Sequence, residues 1–354
     1  MKKNEYDFVF VSHLPSFYKT NLFNEIAKHV RVFTIYLGET SCERTADFVK
    51  GKRQFDCVFL NYGDFEKRSR WVSSIRLLCI LLRLNYRLIS VGGWDLPESW
   101  LTIFISPKRK NLISQESSIY ESQLSGWKLL LKRIFAKRLE IALVSGEPHR
   151  RLMEAVGFNG KTVVTGGVGL ANRLKIEQVK KTFRYRFLYV GRLSREKNLD
   201  LLLRVFALPE MAKYYLTLAG QGPDRIALQT LAGSNVSFIG HIPNERIQDI
   251  YTSHDVFILP SLSEPWGLVI EEALYYGLPV LASSKVGSVE NLVLAYGAGL
   301  SFDPLSEKSL QEAMAMIIDQ YEKYSLAARS IDFLKRDEEQ IRIYINSINE
   351  ILPR

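Results

Sequence analysis

Two glutamates flank a glycine in the segment Glu-Pro-Trp-Gly-Leu-Val-Ile-Glu-Glu, so that Glu264 and Glu272 stand on either side of Gly267, with seven residues between them. The apolar run at 256–259 predicts a buried strand, and the pattern after Gly267 predicts a helix that begins there. The free N–H groups at such a helix start can bind phosphate. Carboxylates beside it can accept hydrogen bonds from sugar hydroxyls. Taken singly, Glu264 could equally be a charge favoured at a helix N-terminus and Glu272 an exposed helical acid.

Three cations follow a predicted strand at 187–190, where Gly191 is succeeded by Arg192, Arg195 and Lys197. Ligands of open α/β sheets bind beyond the carboxyl ends of the strands. The planar guanidinium of Arg192 and the compact ammonium of Lys197 can neutralise a diphosphate there. The alternative is a loop of solvated cations.

Two glycines, Gly220 and Gly222, end another predicted strand at 215–219. Glycine at this place allows a tight turn or a close approach of the backbone to a ligand, and the pair alone does not distinguish the two.

Strand-like and helical segments alternate along all 354 residues, of which 47% are hydrophobic and 24% charged. This alternation predicts an α/β protein with two doubly wound domains. The predicted strands of the first domain are at 7–11, 30–36, 56–61, 87–91, 111–114, 141–145 and 162–165, and those of the second are at 187–190, 215–219, 236–239, 256–259 and 280–282. The predicted organisation is a first domain at 1–170, a linker at 171–186, a second domain at 187–325 and a helical segment at 326–354 that returns to the first domain.

The net charge of +9 is uneven, because residues 1–200 carry 35 Lys and Arg against 19 Asp and Glu, whereas residues 201–354 carry 12 against 19. A basic first part predicts an anionic partner. Three cysteines without paired spacing predict neither a disulfide framework nor a zinc site. No GxGxxG follows either domain's first strand, which argues against a nicotinamide enzyme. A nucleic-acid-binding protein is a weaker alternative, since no zinc-finger, RNP-like or bZIP pattern occurs.

The region 191–290 resembles the C-terminal half of glycosyltransferase family 4. The matching pieces are GRLSREKN at 191–198, LAGQGP at 218–223, FIGHI at 238–242 and EPWGLVIEEALYYGLPVLAS at 264–283. The resemblance implies a GT-B fold, in which two Rossmann-like domains face each other across a cleft. It also implies sugar transfer with retention of anomeric configuration from a nucleotide-sugar, a UDP-sugar or GDP-sugar, with no metal and no other cofactor.

The resemblance also implies a role for each matching residue. Arg192 and Lys197 would bind the donor diphosphate, and Glu264 would hold the hydroxyls of the donor sugar. Glu272 would bind the ribose. Gly267 and Leu268 would offer backbone N–H groups to sugar or phosphate, and Gly220 and Ile239 would border the nucleotide. The other donor-binding residues would be Gly191, Pro265 and Trp266.

The first half departs from the family pattern, because the loop at 12–20 lacks the glycine pair of many relatives, and no histidine lies between His29 and His149. The donor's own phosphate could act as the base. Acceptor or base candidates in this half are His13, Asp95 and Glu116.

The segment at 127–138 is basic and amphipathic, and Lys108 to Lys110 add to its charge. Such a helix can lie on an anionic membrane, although packing on a core with a solvated cationic face is an equal alternative. The membrane interpretation predicts a lipid-linked saccharide acceptor in bacterial lipopolysaccharide, O-antigen or capsule assembly. The alternative is a soluble enzyme that makes a small disaccharide or glucoside. The N-terminus shows no signal-peptide pattern and the apolar runs are too short to span a bilayer, so we expect a cytoplasmic protein, peripheral at the inner face of the cytoplasmic membrane.

Overall fold

A computed structural model describes residues 5–44, 46–173, 182–243 and 246–350 of the chain. The chain divides into two compact units. The first unit contains the residues up to Asn172 and those from Leu334 onwards, and the second runs from Arg173 to Phe333.

The first unit is built on a sheet of seven parallel strands in the order β3-β2-β1-β4-β5-β6-β7. The strands are β1 (Glu5–Ser12), β2 (Val32–Tyr36), β3 (Asp56–Phe59), β4 (Asn85–Val91), β5 (Asn111–Gln115), β6 (Ile141–Val144) and β7 (Lys161–Val164). The helices between them are α1 (Phe17–Ile26), α2 (Arg70–Leu81), α3 (Pro97–Ile105), α4 (Gly126–Ala136) and α5 (Glu147–Ala155).

The helices of this unit cover both faces of its sheet, because alternate residues of a strand point to opposite sides. Phe8 and Phe10 of β1 share a buried cluster with residues of α1. Val9 and Val11 share a second cluster with residues of α2, α3, α4 and α5. The strands are therefore buried on both sides, which is why they are near-continuous apolar runs in the sequence.

The second unit repeats the plan with six parallel strands in the order β10-β9-β8-β11-β12-β13. They are β8 (Arg186–Val190), β9 (Tyr215–Ala219), β10 (Val236–Gly240), β11 (Val256–Leu259), β12 (Val280–Ser283) and β13 (Gly299–Phe302). The helices are α6 (Leu199–Phe206), α7 (Arg225–Leu231), α8 (Ile247–Thr252), α9 (Leu268–Tyr275), α10 (Glu307–Asp319) and α11 (Tyr321–Arg329).

The strand order of both sheets confirms the predicted fold class, two doubly wound Rossmann-like units. In each sheet the order reverses beside the first strand, between β1 and β4 and between β8 and β11. Ligands of such folds bind beyond the carboxyl ends of the strands at this point. One strand, β13, is absent from the sequence-based assignment.

The C-terminal part differs from the single helical segment predicted at 326–354. α11 ends at Arg329, and a further helix, α12 (Phe333–Glu350), follows it. Tyr344 and Ile348 of α12 are buried in the cluster that contains Phe8 and Phe10, so this helix completes the first unit's core. Of the predicted linker at 171–186, residues 174–181 lie outside the described residues.

Candidate active site

The loops that follow β8 and β9 touch each other through their backbones. Gly220 has φ +145°, and a Cβ atom added to it would lie 1.8 Å from the carbonyl oxygen of Gly191. Its N–H donates to the carbonyl of Gly240 at 2.7 Å. Only glycine fits at position 220, so the close approach of these loops explains the residue without a ligand.

Asn198 fixes the loop that carries the cations. Its backbone is left-handed, with φ 55°. The buried side-chain amide donates to the carbonyls of Pro260, at 3.1 Å, and Pro304, at 2.8 Å. One side chain therefore ties the loop after β8 to the segments that follow β11 and β13, and Lys197 stands immediately before it.

Lys197 and Glu264 form an ion pair, although they lie 67 positions apart in the sequence. The backbone of Glu264 is held by two hydrogen bonds, from its own N–H to the carbonyl of Lys285 at 3.1 Å and from the N–H of Gly287 to its carbonyl at 2.9 Å. The structure thus brings together a cation and a carboxylate that the sequence places in one site.

Arg192 lies in the same loop and is half-exposed. Its guanidinium pairs with Glu196 at 3.2 Å, and Glu196 also accepts a hydrogen bond from the Ser194 hydroxyl at 2.6 Å. An exposed pair of this kind contributes little to stability. The guanidinium is therefore available to an anionic ligand at small cost.

Gly267 precedes α9 with φ +85°, a conformation that disfavours a side chain. A Cβ atom there would lie 3.1 Å from Val286 Cγ1 and 3.4 Å from Glu264 Cγ. Leu268 is the first residue of the helix. The free N–H groups of the first turn of α9 therefore begin next to Glu264, as the sequence predicts.

Trp266 is buried, so its side chain is not open to a ligand. Its indole N–H donates to Glu271 Oε1 at 2.7 Å, and its carbonyl accepts the N–H of Ser288 at 3.1 Å. This burial contradicts a contact between the donor and the Trp266 side chain. Pro265 beside it is exposed.

Glu271 is a structural residue to which the sequence analysis assigns no role. It is buried, and its carboxylate pairs with the buried Arg173 at 3.5 Å. The Arg173 guanidinium lies over the ring of Phe333 at 4.5 Å and that of Tyr275 at 5.3 Å. This network fixes α9 against the first and last residues of the second unit.

Glu272 is largely buried one position further along α9 and accepts a hydrogen bond from Tyr251 Oη at 2.9 Å. Burial raises the pKa of its carboxyl from 4.5 to about 7, and the Glu271 charge adds to the rise, while the Tyr251 hydroxyl and Arg173 oppose it. Hydrogen-bond donors from a ligand would favour the ionised form of this carboxyl.

Ile239, which is predicted to border the nucleotide, is exposed in β10.

In the first unit, Glu116 follows β5 and pairs with Lys19, a buried residue of α1. Tyr18 Oη donates to Glu116 at 3.4 Å, and the ammonium of Lys19 lies over the ring of Phe10 at 4.5 Å. Sequence reasoning missed Lys19. The sequence feature that could have identified Lys19 is that it is the only cation in the helix after the first strand.

His13 lies at the same edge, after β1. A Cβ atom placed on Gly92, after β4, would be 3.8 Å from its imidazole and 4.0 Å from Lys19 Nζ. Burial and, to a smaller extent, the charges of Lys19 and Arg68 lower the pKa of His13 to about 4. The imidazole is therefore neutral at pH 7, which makes it a weak base.

Asp95 lies elsewhere, in a cavity of about 540 Å³ walled by residues of α4. The surrounding protein raises the pKa of its carboxyl, and the charge of Lys132 opposes the shift. The three candidates of the first unit therefore form two groups, His13 with Glu116 through Lys19, and Asp95 beside α4.

Among the residues that the structure describes, no helix is long and apolar enough to cross a membrane. Nor do three or more His, Cys, Asp or Glu side chains gather into a possible metal site within this part of the chain.

Comparison with known proteins places the family signal in the second unit. Residues 172–331 match the model of the family "Glycosyl transferases group 1". An uncharacterised 41.2 kDa protein in the cps region of Klebsiella pneumoniae is 28% identical over 165 residues, 44% of this chain and 46% of that protein. The GDP-mannose-dependent alpha-mannosyltransferase of Mycobacterium tuberculosis (strain CDC 1551 / Oshkosh) is 34% identical over 143 residues, 40% of this chain and 36% of that protein.

Solved structures with a similar fold cover nearly the whole chain. The apo structure of the lipopolysaccharide outer core galactosyltransferase WaaB matches with a TM-score of 0.70 and 12% identity, over 99% of this chain and 100% of that one. The alignments to the two curated relatives span less than half the length of each. Together with the strand order and the motifs at 191–290, the family match confirms the resemblance, and the second unit of the chain belongs to the group 1 glycosyltransferases.

Proposed function

We propose that the chain is a glycosyltransferase that moves a sugar from a nucleotide-sugar donor to a saccharide acceptor. The observation that carries this proposal is the juxtaposition of Lys197, Glu264 and the first turn of α9 at the carboxyl edge of one sheet. Arg192 adds a second cation in the same loop. A diphosphate needs cations and N–H donors, and a sugar needs a carboxylate beside them, so this edge matches both halves of the donor.

The proposed reaction proceeds with retention and without a metal. The acceptor hydroxyl oxygen forms a bond to the anomeric carbon as the bond from that carbon to the diphosphate oxygen breaks, and the bonding electrons leave with the diphosphate. The acceptor proton passes to a phosphate oxygen of the donor. Arg192, Lys197 and the N–H groups of α9 stabilise the charge that develops on the leaving nucleoside diphosphate.

The donor is a UDP-sugar or a GDP-sugar. Glu272 would accept hydrogen bonds from the ribose hydroxyls, and Glu264 those from the sugar once Lys197 engages the phosphates. The dependence of the mycobacterial relative on GDP-mannose supports a nucleotide-sugar donor.

The acceptor is a lipid-linked saccharide of bacterial surface polysaccharide assembly, reached at the inner face of the cytoplasmic membrane. Support comes from the cps-region location of the Klebsiella relative and from the lipopolysaccharide enzyme with the matching fold. The excess of cations in the first 200 residues also supports an anionic acceptor.

The test compares Lys197→Ala and Glu264→Ala with Arg204→Ala, which removes a half-exposed cation of α6 paired with Asp200 and Glu307. UDP-sugars and GDP-sugars are screened with bacterial membrane lipid extract, and transfer is followed by release of the nucleoside diphosphate. We expect a loss of about a hundredfold or more in the first two variants, since each removes a group that interacts with the reacting donor. We expect wild-type turnover in the third. Turnover within a few fold of wild type in Lys197→Ala would refute the proposed site.

A further inference from the structure

Two helices of the first unit expose large apolar side chains at helical spacing. On α4 these are Trp127, Leu130, Leu131 and Ile134, at positions i, i+3, i+4 and i+7. On α2 and directly after it they are Trp71, Val72, Ile75 and Leu82. The side chains of Trp71 and Trp127 are 83% and 68% exposed. An apolar stripe at this spacing normally faces a core, so each helix has a second apolar face that the unit leaves uncovered.

The two stripes lie on the same side of the sheet. Inward residues of both helices, Leu77 of α2 and Phe135 of α4, belong to one buried cluster, as does Ile103 of α3. α3 packs against α2, and its Trp100 ring lies 5.0 Å from that of Phe135. α3 itself exposes Phe104 and Ile105. The outward sides of α2, α3 and α4 therefore form one layer, which we name the α2–α4 surface.

The charge of this surface is almost entirely positive. Residues 68–138 contain 13 Lys and Arg against 4 Asp and Glu. Two of the acids are already engaged, Glu98 with Arg68 and Glu116 with Lys19. The exposed cations that flank the two apolar stripes are Arg70, Arg76, Arg83, Lys128, Arg133 and Lys137.

We propose that the α2–α4 surface docks on an anionic phospholipid bilayer, with Trp71 and Trp127 inserted at the level of the headgroups. Tryptophan is suited to this depth because its ring is apolar and its N–H is polar. A second copy of the chain fits less well, because two such surfaces would bring cations against cations. The inference deepens the proposed function, since it names the surface at which a lipid-linked acceptor would be met.

This docking has two separable components, and each has its own signature. Attraction of the cations to anionic lipid is screened by salt. Burial of the apolar stripes is not, so binding to anionic vesicles should weaken but persist at high salt. A purely electrostatic attachment would vanish there.

The experiment uses the full chain with vesicles of phosphatidylglycerol and phosphatidylethanolamine, and vesicles of phosphatidylcholine alone as the neutral control. Sedimentation measures the partition coefficient at 0.1 and 0.5 M NaCl. Tryptophan fluorescence with lipids brominated on their acyl chains measures insertion, since Trp71 and Trp127 are exposed, whereas Trp94 and Trp266 are buried and Trp100 is partly buried against Phe135.

Three variants separate the components. Trp71→Ser with Trp127→Ser removes the insertion, and Lys128→Gln with Arg133→Gln and Lys137→Gln removes charge. The matched control is Ile226→Ser with Leu231→Ser on α7, whose side chains are 78% and 58% exposed. Each cation near an anionic surface contributes about fivefold to binding, so the charge variant should lose about a hundredfold at 0.1 M NaCl. The tryptophan variant should lose quenching at both salt concentrations and all binding at 0.5 M NaCl, and the control should match wild type.

Equal vesicle binding by the tryptophan variant and wild type at 0.5 M NaCl would overturn the proposal. So would absence of vesicle binding together with a dimer that the tryptophan variant abolishes, which would assign the surface to a second copy. Nucleotide binding, measured separately by thermal shift with UDP and GDP, keeps the two proposals apart. Vesicle binding without nucleotide binding would contradict the proposed function alone, and the reverse result would contradict the α2–α4 surface alone.

Discussion

Replacing Glu272 by Gln is expected to stabilise the empty protein above pH 7, whereas most substitutions in a buried site destabilise. Its carboxyl has a pKa of about 7 in the folded protein and an ordinary value of 4.5. The folded state therefore holds this proton more tightly than the unfolded state. The contribution of this carboxyl to stability is therefore greatest below pH 4.5 and is lost as the pH rises through 7.

The size of the effect follows from the difference in pKa. At 1.36 kcal/mol for each pKa unit, ionising Glu272 in the folded protein costs about 3 kcal/mol above pH 7. Gln keeps an oxygen that can accept the hydrogen bond of Tyr251 and never ionises. The variant should therefore be about 3 kcal/mol more stable than wild type at pH 8 and equal to it at pH 4.5.

The assay is unfolding in urea at pH 4.5, 6, 7 and 8, with Glu271→Gln as the control. Glu271 pairs with Arg173 in a buried site, so Glu271→Gln breaks a buried ion pair and should cost about 3–5 kcal/mol at pH 8. Adjacent glutamates thus have opposite effects. The reasoning fails if Glu272→Gln is less stable than wild type at pH 8, or if its difference from wild type does not change with pH.

In the proposed function, Glu272 would also link nucleotide binding to pH. If ribose hydroxyls donate to Glu272, they favour its ionised form, so UDP or GDP binding near pH 7 should release protons from this carboxyl. Calorimetry in two buffers of different ionisation enthalpy measures that release, and Glu272→Gln should abolish it.

Three further substitutions test how the loops are held. Gly220→Ala places a Cβ atom 1.8 Å from the Gly191 carbonyl and should cost more than about 3 kcal/mol in urea unfolding, whereas Gly297→Ala, with φ +60° and no atom within 4 Å, should cost about 1–2 kcal/mol. Asn198→Ala should cost about 2–4 kcal/mol and also slow transfer. Its control is Asn235→Ala, which loses three similar hydrogen bonds to carbonyls at the amino end of β10, away from the candidate site. This control should destabilise the protein without changing kcat beyond a few fold. Lys19→Met should lower the melting temperature by leaving Glu116 without its ion-pair partner, and adding Glu116→Gln should restore part of the loss; a double variant no more stable than the single one would contradict this account.

Twelve of the thirteen strands could be assigned from the sequence, because strands buried on both faces are continuous apolar runs between helical segments. β13 (Gly299–Phe302) was not predicted, because the strand has only four residues and begins with glycine. A Cβ atom on Gly299 would lie 1.9 Å from the carbonyl oxygen of Val280 in the neighbouring strand β12. Packing against β12 therefore requires glycine at position 299, and this glycine interrupts the apolar run by which a buried strand is predicted.

Side-chain partners were harder to predict than strands. The pairing of Lys197 with Glu264 depends on two loops that meet only after the sheet has formed. The sequence Glu271-Glu272 gives no sign of which carboxylate points to Arg173 and which to Tyr251. That distinction depends on the rotation of α9 on the sheet, which is a property of the tertiary packing.

The ion pair between Lys197 and Glu264 also bears on product release in the proposed reaction. A nucleoside diphosphate that draws Lys197 onto its phosphates leaves Glu264 without its partner. An intact donor avoids this cost, because its sugar hydroxyls take the place of the ammonium. In the proposed reaction, the pair would therefore discriminate against the spent nucleotide, because Glu264 would compete for Lys197 again once the sugar has been transferred and would favour product release. Glu264→Gln should relax that competition, and we expect product inhibition by the nucleoside diphosphate to become stronger in this variant.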